Sequence, residues 1–356
     1  MEQNNDKNNQ IKKILFLLYL SIFFFIILLI KPNNKCNLPN INAPKQINLD
    51  DPQINEIIDN KLKNLLQLYI ENRTYFYILG RQKIMKRHGK IYNESNIKTI
   101  QDKMNWLLIH ENPEYKSKIV DKILLRDYST KILGEDICPP IIKIYDNVNQ
   151  INLDELPNSF ILKCNHGSGM NIFCKDKSKF NLTQAKLQLN NWMKMNYGLI
   201  NSEYVYINIK KKIFAEKYLG DDINVYKIDC YNGNPKFIRA YKHLPNKGYK
   251  IGNIYDLNWT LTDIETGLSI IKRDPNITFH KPRSLNLMLE YAKKLSKEFV
   301  FVRVDFYDCN ERIYLSELTF TTSNMLESYK NEEQSIYLGS LLDLTKIKNF
   351  SSYDNY

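Results

Sequence analysis

Glycine is scarce, at 12 of 356 residues, and the short motifs that announce a common chemistry are missing. With 43% apolar and 25% charged residues, the composition excludes a collagen-like repeat, a wholly disordered chain and a multi-span membrane protein. None of the six cysteines (Cys36, Cys138, Cys164, Cys174, Cys230 and Cys309) forms a C-x-x-C pair, so zinc-ribbon and thioredoxin-type sites are excluded. Cys164, Cys230 and Cys309 lie in apolar, strand-like runs and read as buried free thiols. The chain has no D-x-D, the metal and nucleotide-sugar motif of many glycosyltransferases. That counts against such an enzyme but leaves motif-free families open. It has no H-R-D loop for a protein kinase and no Gly-Lys-Ser/Thr of a Walker A loop.

Lys and Arg number 50 against 39 Asp and Glu, a formal net charge of +11. The excess points to an anionic partner, without choosing among nucleotide, acidic sugar and phospholipid. Nucleic-acid binding has charge behind it but no motif, and none is expected. Lys210, Lys211, Lys212, Lys236, Arg239, Lys242, Lys247 and Lys250 read either as a solvated basic face or as an attractor for a polyanion.

The longest apolar run is Ile14 to Ile30, interrupted only by Tyr19 and Ser21. Seventeen helical residues span about 25 Å, enough for a thin bilayer. Lysines flank it on both sides, so the charge rule for orientation gives no answer. The following Lys-Pro-Asn-Asn-Lys is a poor signal-peptidase site. The run therefore reads as a single transmembrane anchor, residues 14–30, after a tail at 1–13 and before an Asn/Pro/Asp-rich spacer at 31–55. Residues 56–150 read as a mostly helical N-terminal region, with helical spacing at Ile57 to Tyr69, Ile100 to Ile109 and Ile119 to Tyr128. Residues 151–345 then mix strands and helices, and 346–356 form a tail. Helices followed by mixed elements predict an α+β body.

Three segments could carry chemistry. Lys163-Cys164-Asn165-His166-Gly167-Ser168-Gly169 joins two strand-like runs. Small residues let backbone N–H groups approach phosphate oxygens, with Lys163 beside them. Taken alone the loop is an ordinary hairpin turn. Ile213 to Leu219 is an apolar strand that turns polar at Glu216 and Lys217, before Gly220-Asp221-Asp222. Last, Val302-Arg303-Val304-Asp305-Phe306 and Leu315 to Phe320 form a hairpin. Period-two alternation places Arg303 with Asp305 on one face and Glu317 with Thr319 on one face, and the short turn puts Asp305 and Glu317 roughly opposite each other. Two carboxylates among Val, Phe, Ile and Leu need a positive partner. Arg303 is one solution and a hard cation the other, and spacing does not choose between them.

In this order the segments resemble the ATP-grasp superfamily, most closely the TupA-like ATP-grasp family associated with teichuronopeptide and other polysaccharide biosynthesis. The resemblance covers roughly residues 70–345. It is carried by Asp121-Lys122 with Arg126, by Leu156 to Gly169, by Asp176 to Lys179, by Phe301 to Tyr307 and by Ser316 to Thr321. It implies two α+β lobes clamping ATP, preceded here by the helical region and the transmembrane helix. It further implies that Lys163 contacts nucleotide phosphate and that the backbone of His166, Gly167, Ser168 and Gly169 covers the phosphates. Glu216 and the backbone of Lys217, Tyr218 and Leu219 would hold adenine. Asp305 and Glu317 would bind Mg²⁺ with Thr319, which stands where the superfamily has Asn. Arg303 would stabilise the transferring phosphoryl group. Val225-Tyr226-Lys227-Ile228 replaces the family's Asp-Tyr-Lys-Phe, leaving Asp222 or Asn224 for the ribose. The implied activity is an ATP-dependent carboxylate–amine ligase, acting through an acyl phosphate on a carboxylate-bearing sugar or glycan and an amine donor. The alternative is a membrane-anchored glycosyltransferase of glycan synthesis.

Overall fold

The computed structural model describes residues 78, 80–82, 85, 95–111, 113–221, 223–244, 249–267, 271–309, 312–325 and 327–347. The anchor at 14–30, the spacer, most of the helical reading over 56–94, Asp222 and the tail beyond 347 lie outside them. No described helix is long and apolar enough to cross a membrane.

The first helix whose bounds are described is α1 (Ile100–His110). Thr99 caps it by accepting from the Asp102 N–H, and the Asp102 carboxylate accepts from the Thr99 N–H at 3.0 Å. Helices α2 (Pro113–Val120) and α3 (Leu125–Leu133) follow. The spacing predicted one helix through Ile119 to Tyr128, and the structure corrects this. Asp121 Oδ1 accepts from the N–H groups of Ile123 (2.9 Å) and Leu124 (3.4 Å), so a side chain takes over backbone donors and breaks the helix into a turn. Gly134, at φ +83°, ends α3 in the left-handed conformation.

Two sheets make up the rest. The first contains β1 (Ile141–Tyr145), β2 (Phe160–Cys164), β3 (Asn171–Cys174) and β4 (Ile213–Lys217) in the antiparallel order β1-β4-β2-β3. Strand β1 thus belongs to this sheet although it precedes residue 150. Helices α4 (Leu182–Lys194) and α5 (Tyr197–Asn201) connect β3 to β4. Phe160, Leu162, Cys164, Ile213 and Ala215 are buried with Leu189 of α4, which fixes one face of the sheet as core.

The second sheet contains β5 (Asn224–Tyr231), β6 (Asn234–Leu244), β7 (Tyr249–Tyr255), the two-residue β8 (Ile271–Lys272), β9 (Phe301–Cys309) and β10 (Arg312–Thr319). Their order is β10-β9-β5-β6-β7-β8. Helix α6 (Leu285–Ser296) packs Leu285, Met288, Ala292 and Leu295 into one core with Ile228, Cys230, Val302, Val304 and Phe306. Alternation then forces Lys227, Asp229, Arg303 and Asp305 onto the other face. Helix α7 (Glu332–Ser340) closes the chain against α1, with Gly339 so close that an added Cβ would lie 2.3 Å from the Lys98 carbonyl. The α+β expectation is met. The five described cysteines are free thiols, four of them buried.

Candidate active site

The first sheet buries one face under α4 and leaves the other open; the second buries one face under α6 and packs part of the other against α1 through Tyr231, Phe237 and Phe301. On the first sheet that open face is set by register. Lys163 pairs with Phe214 and Asn171, Ile161 with Glu216 and Phe173, and Ile144 with Phe214, and cross-strand partners share a face. Lys163 and Glu216 form an ion pair there, with side chains only 9% and 10% exposed. Apolar side chains beside them stay open to solvent: Ile144 is 45% exposed and Phe173 55%. A buried ion pair bordered by an uncovered apolar strip is a slot for a flat heterocycle with a charged tail.

The loop from Asn165 to Gly169 closes the β2–β3 hairpin, with the Cys164 N–H donating to the Met170 carbonyl at 3.1 Å. Two glycines are required. Gly169 sits at φ +73°, and a Cβ on Gly167 would lie 2.9 Å from both Met170 and the Tyr197 ring. Ser168 and Gly169 are exposed, so their backbone is open to a ligand. The His166 ring turns away from it, buried, with Nε2 3.1 Å from the Trp192 carbonyl and Nδ1 without a partner. Burial holds its pKa down at about 4, so it stays neutral. Asn165 is structural: its amide donates to Asp121 (2.8 Å) and to the Lys210 carbonyl (3.0 Å).

That Asp121–Asn165 tie positions a residue to which the sequence assigned no role. Lys122, thrown out of the helix by the Asp121 turn, donates to the Gly167 carbonyl at 2.5 Å. Burial and Lys163 push its ammonium pKa down, while Glu317 pulls it up. Lys163 is pushed down by burial, but Glu216, Tyr307 and Glu317 outweigh this and raise it. Glu317 therefore acts on both lysines from the second sheet, which places its end of that sheet beside them. Where the sheets join beyond β4, the Cys309 thiol lies 3.4 Å from the Leu219 carbonyl. Lys217 is exposed, and its N–H donates to the Pro140 carbonyl at 2.9 Å. The Tyr218 hydroxyl bonds Asp221.

On the second sheet, Glu317 lies directly opposite Asp305 and Thr319 opposite Arg303. A register shift between Leu315 and Glu317 makes this so. Without that bulge, Glu317 would pair one residue further along and point to the apolar face. Arg303 grips Asp305 with Nε (2.6 Å) and Nη2 (2.7 Å), and also reaches Thr319 Oγ1 (3.2 Å) and Glu317 (3.5 Å). Lys227 Nζ, directly across from Asp305 on β5, donates to the same carboxylate at 2.7 Å. Burial would raise the Asp305 pKa, but Arg303 and Lys227 hold it down at about 2. Asp305 is thus ionised at any working pH. Among the described residues no three His, Cys, Asp or Glu side chains gather as a metal-ligand set. A cation here would have two carboxylates, one hydroxyl and whatever its ligand brings, which is the donor set Mg²⁺ takes with a nucleotide.

Arg239, read with the surface lysines, is corrected: it is buried. Its guanidinium bonds Asp229 (2.6 Å), Glu327 (2.7 Å) and the Tyr329 hydroxyl (3.2 Å). It stabilises this face and attracts nothing from solution.

Glu203 carries no sequence signal but sits at the rim. It is buried, accepts from the Thr321 hydroxyl just past β10, and burial raises its pKa to about 7 despite hydrogen bonds from Thr321 and Tyr197. The unfolded chain loses this proton near pH 4.5 and the native state near 7. The native state therefore holds more protons between them, and stability falls as pH rises through that window. Glu203→Gln should match the wild type in stability near pH 5 and exceed it at pH 8, by roughly 3 kcal/mol at most, as read from melting at the two pH values. Parallel melting profiles across that range would refute the shifted carboxyl.

The profile of the TupA-like ATP-grasp family matches residues 102–343. No curated protein matches the chain. Among solved structures, it is similar to D-alanine–D-alanine ligase from Bacillus anthracis complexed with ATP, at 17% identity and a TM-score of 0.37, over 65% of this chain and 66% of that one. It is similar to D-alanyl-alanine synthetase A from Vibrio cholerae at 12% identity and a TM-score of 0.39, over 62% of each chain. For the ATP-grasp ligase PsnB complexed with minimal precursor, Mg and ADP, the values are 8% and 0.36, over 76% and 65%. The chain spans about two thirds of the length of these structures.

Proposed function

The chain belongs to the TupA-like ATP-grasp family, and from that premise we propose that it is an ATP-dependent carboxylate–amine ligase. The observation that carries the reading is that Glu317 of the second sheet acts electrostatically on both Lys163 and Lys122, which brings the Lys163–Glu216 pair and the Arg303–Asp305–Glu317 group to one place. ATP would lie between them. Its adenine would take the apolar strip of Ile144, Ile161 and Phe173 beside Glu216, and its phosphates would run under the Gly167–Gly169 backbone. Lys163 and Lys122 would neutralise phosphate charge. Asp305, Glu317 and Thr319 would hold Mg²⁺, which supplies Lewis-acid neutralisation of the phosphate oxygens.

The chain's own part is positioning and charge stabilisation. A substrate carboxylate attacks the γ-phosphorus and forms an acyl phosphate with release of ADP. Arg303 faces the charge that spreads over the transferring group. An amine then attacks the acyl carbon and expels phosphate, giving an amide. The net positive charge, with the polysaccharide biosynthesis that the sequence resemblance implies, supports an acidic sugar or glycan as the carboxylate. The apolar run at 14–30 supports a membrane-held body with a single N-terminal anchor.

A hydroxylamine trap tests the reading. Wild-type chain with Mg²⁺, ATP and a uronate such as glucuronate or galacturonate should form a hydroxamate, with one ADP released per trap. Glu317→Gln, which removes one metal-facing charge, should lower the rate by about 100-fold or more. Equal rates for wild type and variant would refute the metal role of Glu317.

A further inference from the structure

Asp305 carries more positive charge than a single carboxylate needs. Arg303 alone satisfies it, through two hydrogen bonds of 2.6 and 2.7 Å, one to each oxygen. Lys227 nevertheless adds a second cation on Oδ2 at 2.7 Å. The two differ in mobility. The Arg303 fork is fixed at three acceptors, Asp305, Thr319 and Glu317, and its side chain is 11% exposed. Among the described residues the Lys227 ammonium donates only to Asp305, over the Tyr241 ring at 5.9 Å, on a side chain 24% exposed. A flexible stem with one partner and an open side can move; a planar fork with three cannot.

We propose that Lys227 is a resident cation that holds the metal-facing oxygen of Asp305 until nucleotide phosphate draws it off, so that the divalent metal enters only together with ATP. This rests on the reading of Asp305 and Glu317 as metal ligands. Charge balance gives the reason. Arg303 and Lys227 offset Asp305 and Glu317 one for one, so these four charges cancel as they stand. A divalent ion arriving alone would meet two positive charges already seated beside its ligands. An ion arriving with phosphate brings the anion that Lys227 can take in exchange. Phosphate and carboxylate oxygens bound to one Mg²⁺ lie about 3 Å apart. The ammonium now on Asp305 is therefore already within reach of that phosphate.

The test is Mn²⁺ binding to the full-length chain, read from the loss of the free-ion electron paramagnetic resonance signal. It is run with and without the non-hydrolysable β,γ-imido analogue of ATP. Wild type should bind Mn²⁺ at least tenfold more tightly with the analogue than without. Lys227→Met should raise nucleotide-free Mn²⁺ affinity by about tenfold or more and weaken analogue binding, which shrinks the coupling. Lys227→Arg, which keeps the charge, should leave nucleotide-free affinity at the wild-type value. Unchanged nucleotide-free affinity in Lys227→Met overturns the proposal. If that variant does not fold, equal wild-type Mn²⁺ affinity with and without the analogue overturns it instead. Wild type that binds the analogue but never Mn²⁺ refutes the metal site itself, and the inference falls with it.

Discussion

Arg303→Met should lower ADP formation by about 10³-fold or more while changing the KM for ATP less than tenfold. The size follows from what the guanidinium faces. Its fork spans Asp305, Thr319 and Glu317, so a transferring phosphoryl group held by those ligands would sit against it. A cation aimed at charge that develops only in the transition state affects kcat rather than ground-state binding. Removing one such arginine costs about 10³ to 10⁵ in phosphoryl transfer. The fold should survive, because Lys227 still pairs with Asp305. Arg303→Lys should recover little, since a point charge cannot reproduce a two-pronged contact. A purely structural role, neutralising Asp305, gives the opposite pattern: Lys would restore activity, and any loss would track melting temperature.

Arg239→Met should be the most destabilising single change on the second sheet, by about 3–5 kcal/mol. Arg239 is 4% exposed and, among the described residues, is the sole cation bonding the buried carboxylates of Asp229 and Glu327. Without it both lose their shared counter-charge, and Asp229 Oδ1 has no hydrogen-bond partner even now. Burial already pushes the Asp229 pKa up, with Arg239 the main opposing influence. In the variant that opposition is gone. The native state then holds protons that the unfolded chain has released, so the deficit should be largest near pH 8 and shrink toward pH 5. Denaturant midpoints at the two pH values measure this. A midpoint within experimental error of wild type at pH 8 would mean that water, not Arg239, satisfies the pair.

These two arginines also show how unevenly the site can be read from sequence. Arg303 and Asp305 stand out because each interrupts a run of buried Val and Phe at period two, and only one face can accept them. Arg239 sits in Phe-Ile-Arg-Ala-Tyr-Lys, where the same alternation holds, but nearby lysines make it look like part of a basic surface. Its partners, Asp229 and Glu327, are 10 and 88 residues away, and no local pattern joins them. The hairpin was legible, and so was the opposition of Asp305 and Glu317 across its short turn; the bulge that sets this register was not, because one extra residue leaves no mark on composition. Lys122 was hidden inside a good helical pattern until the Asp121 side chain broke the helix beneath it. Strand β7 was missed because Gly252 and Asn253 interrupt its apolar run. Gly252 is needed there: a Cβ would lie 2.5 Å from Ile271 and 2.9 Å from the Tyr241 ring. Glu203 could not be found from spacing at all, since burial alone sets it apart.

Isothermal titration of ATP into the full-length chain, once with excess Mg²⁺ and once with a chelator, bears most directly on a nucleotide held between the two sheets. A site built from Lys163, Glu216, Asp305 and Glu317 predicts saturable one-to-one binding with Mg²⁺ and at least tenfold weaker binding without it. It also predicts loss of that metal dependence in Glu317→Gln. No ATP binding under either condition, together with binding of a nucleotide sugar such as UDP-glucuronate, would contradict it and favour an anchored glycosyltransferase.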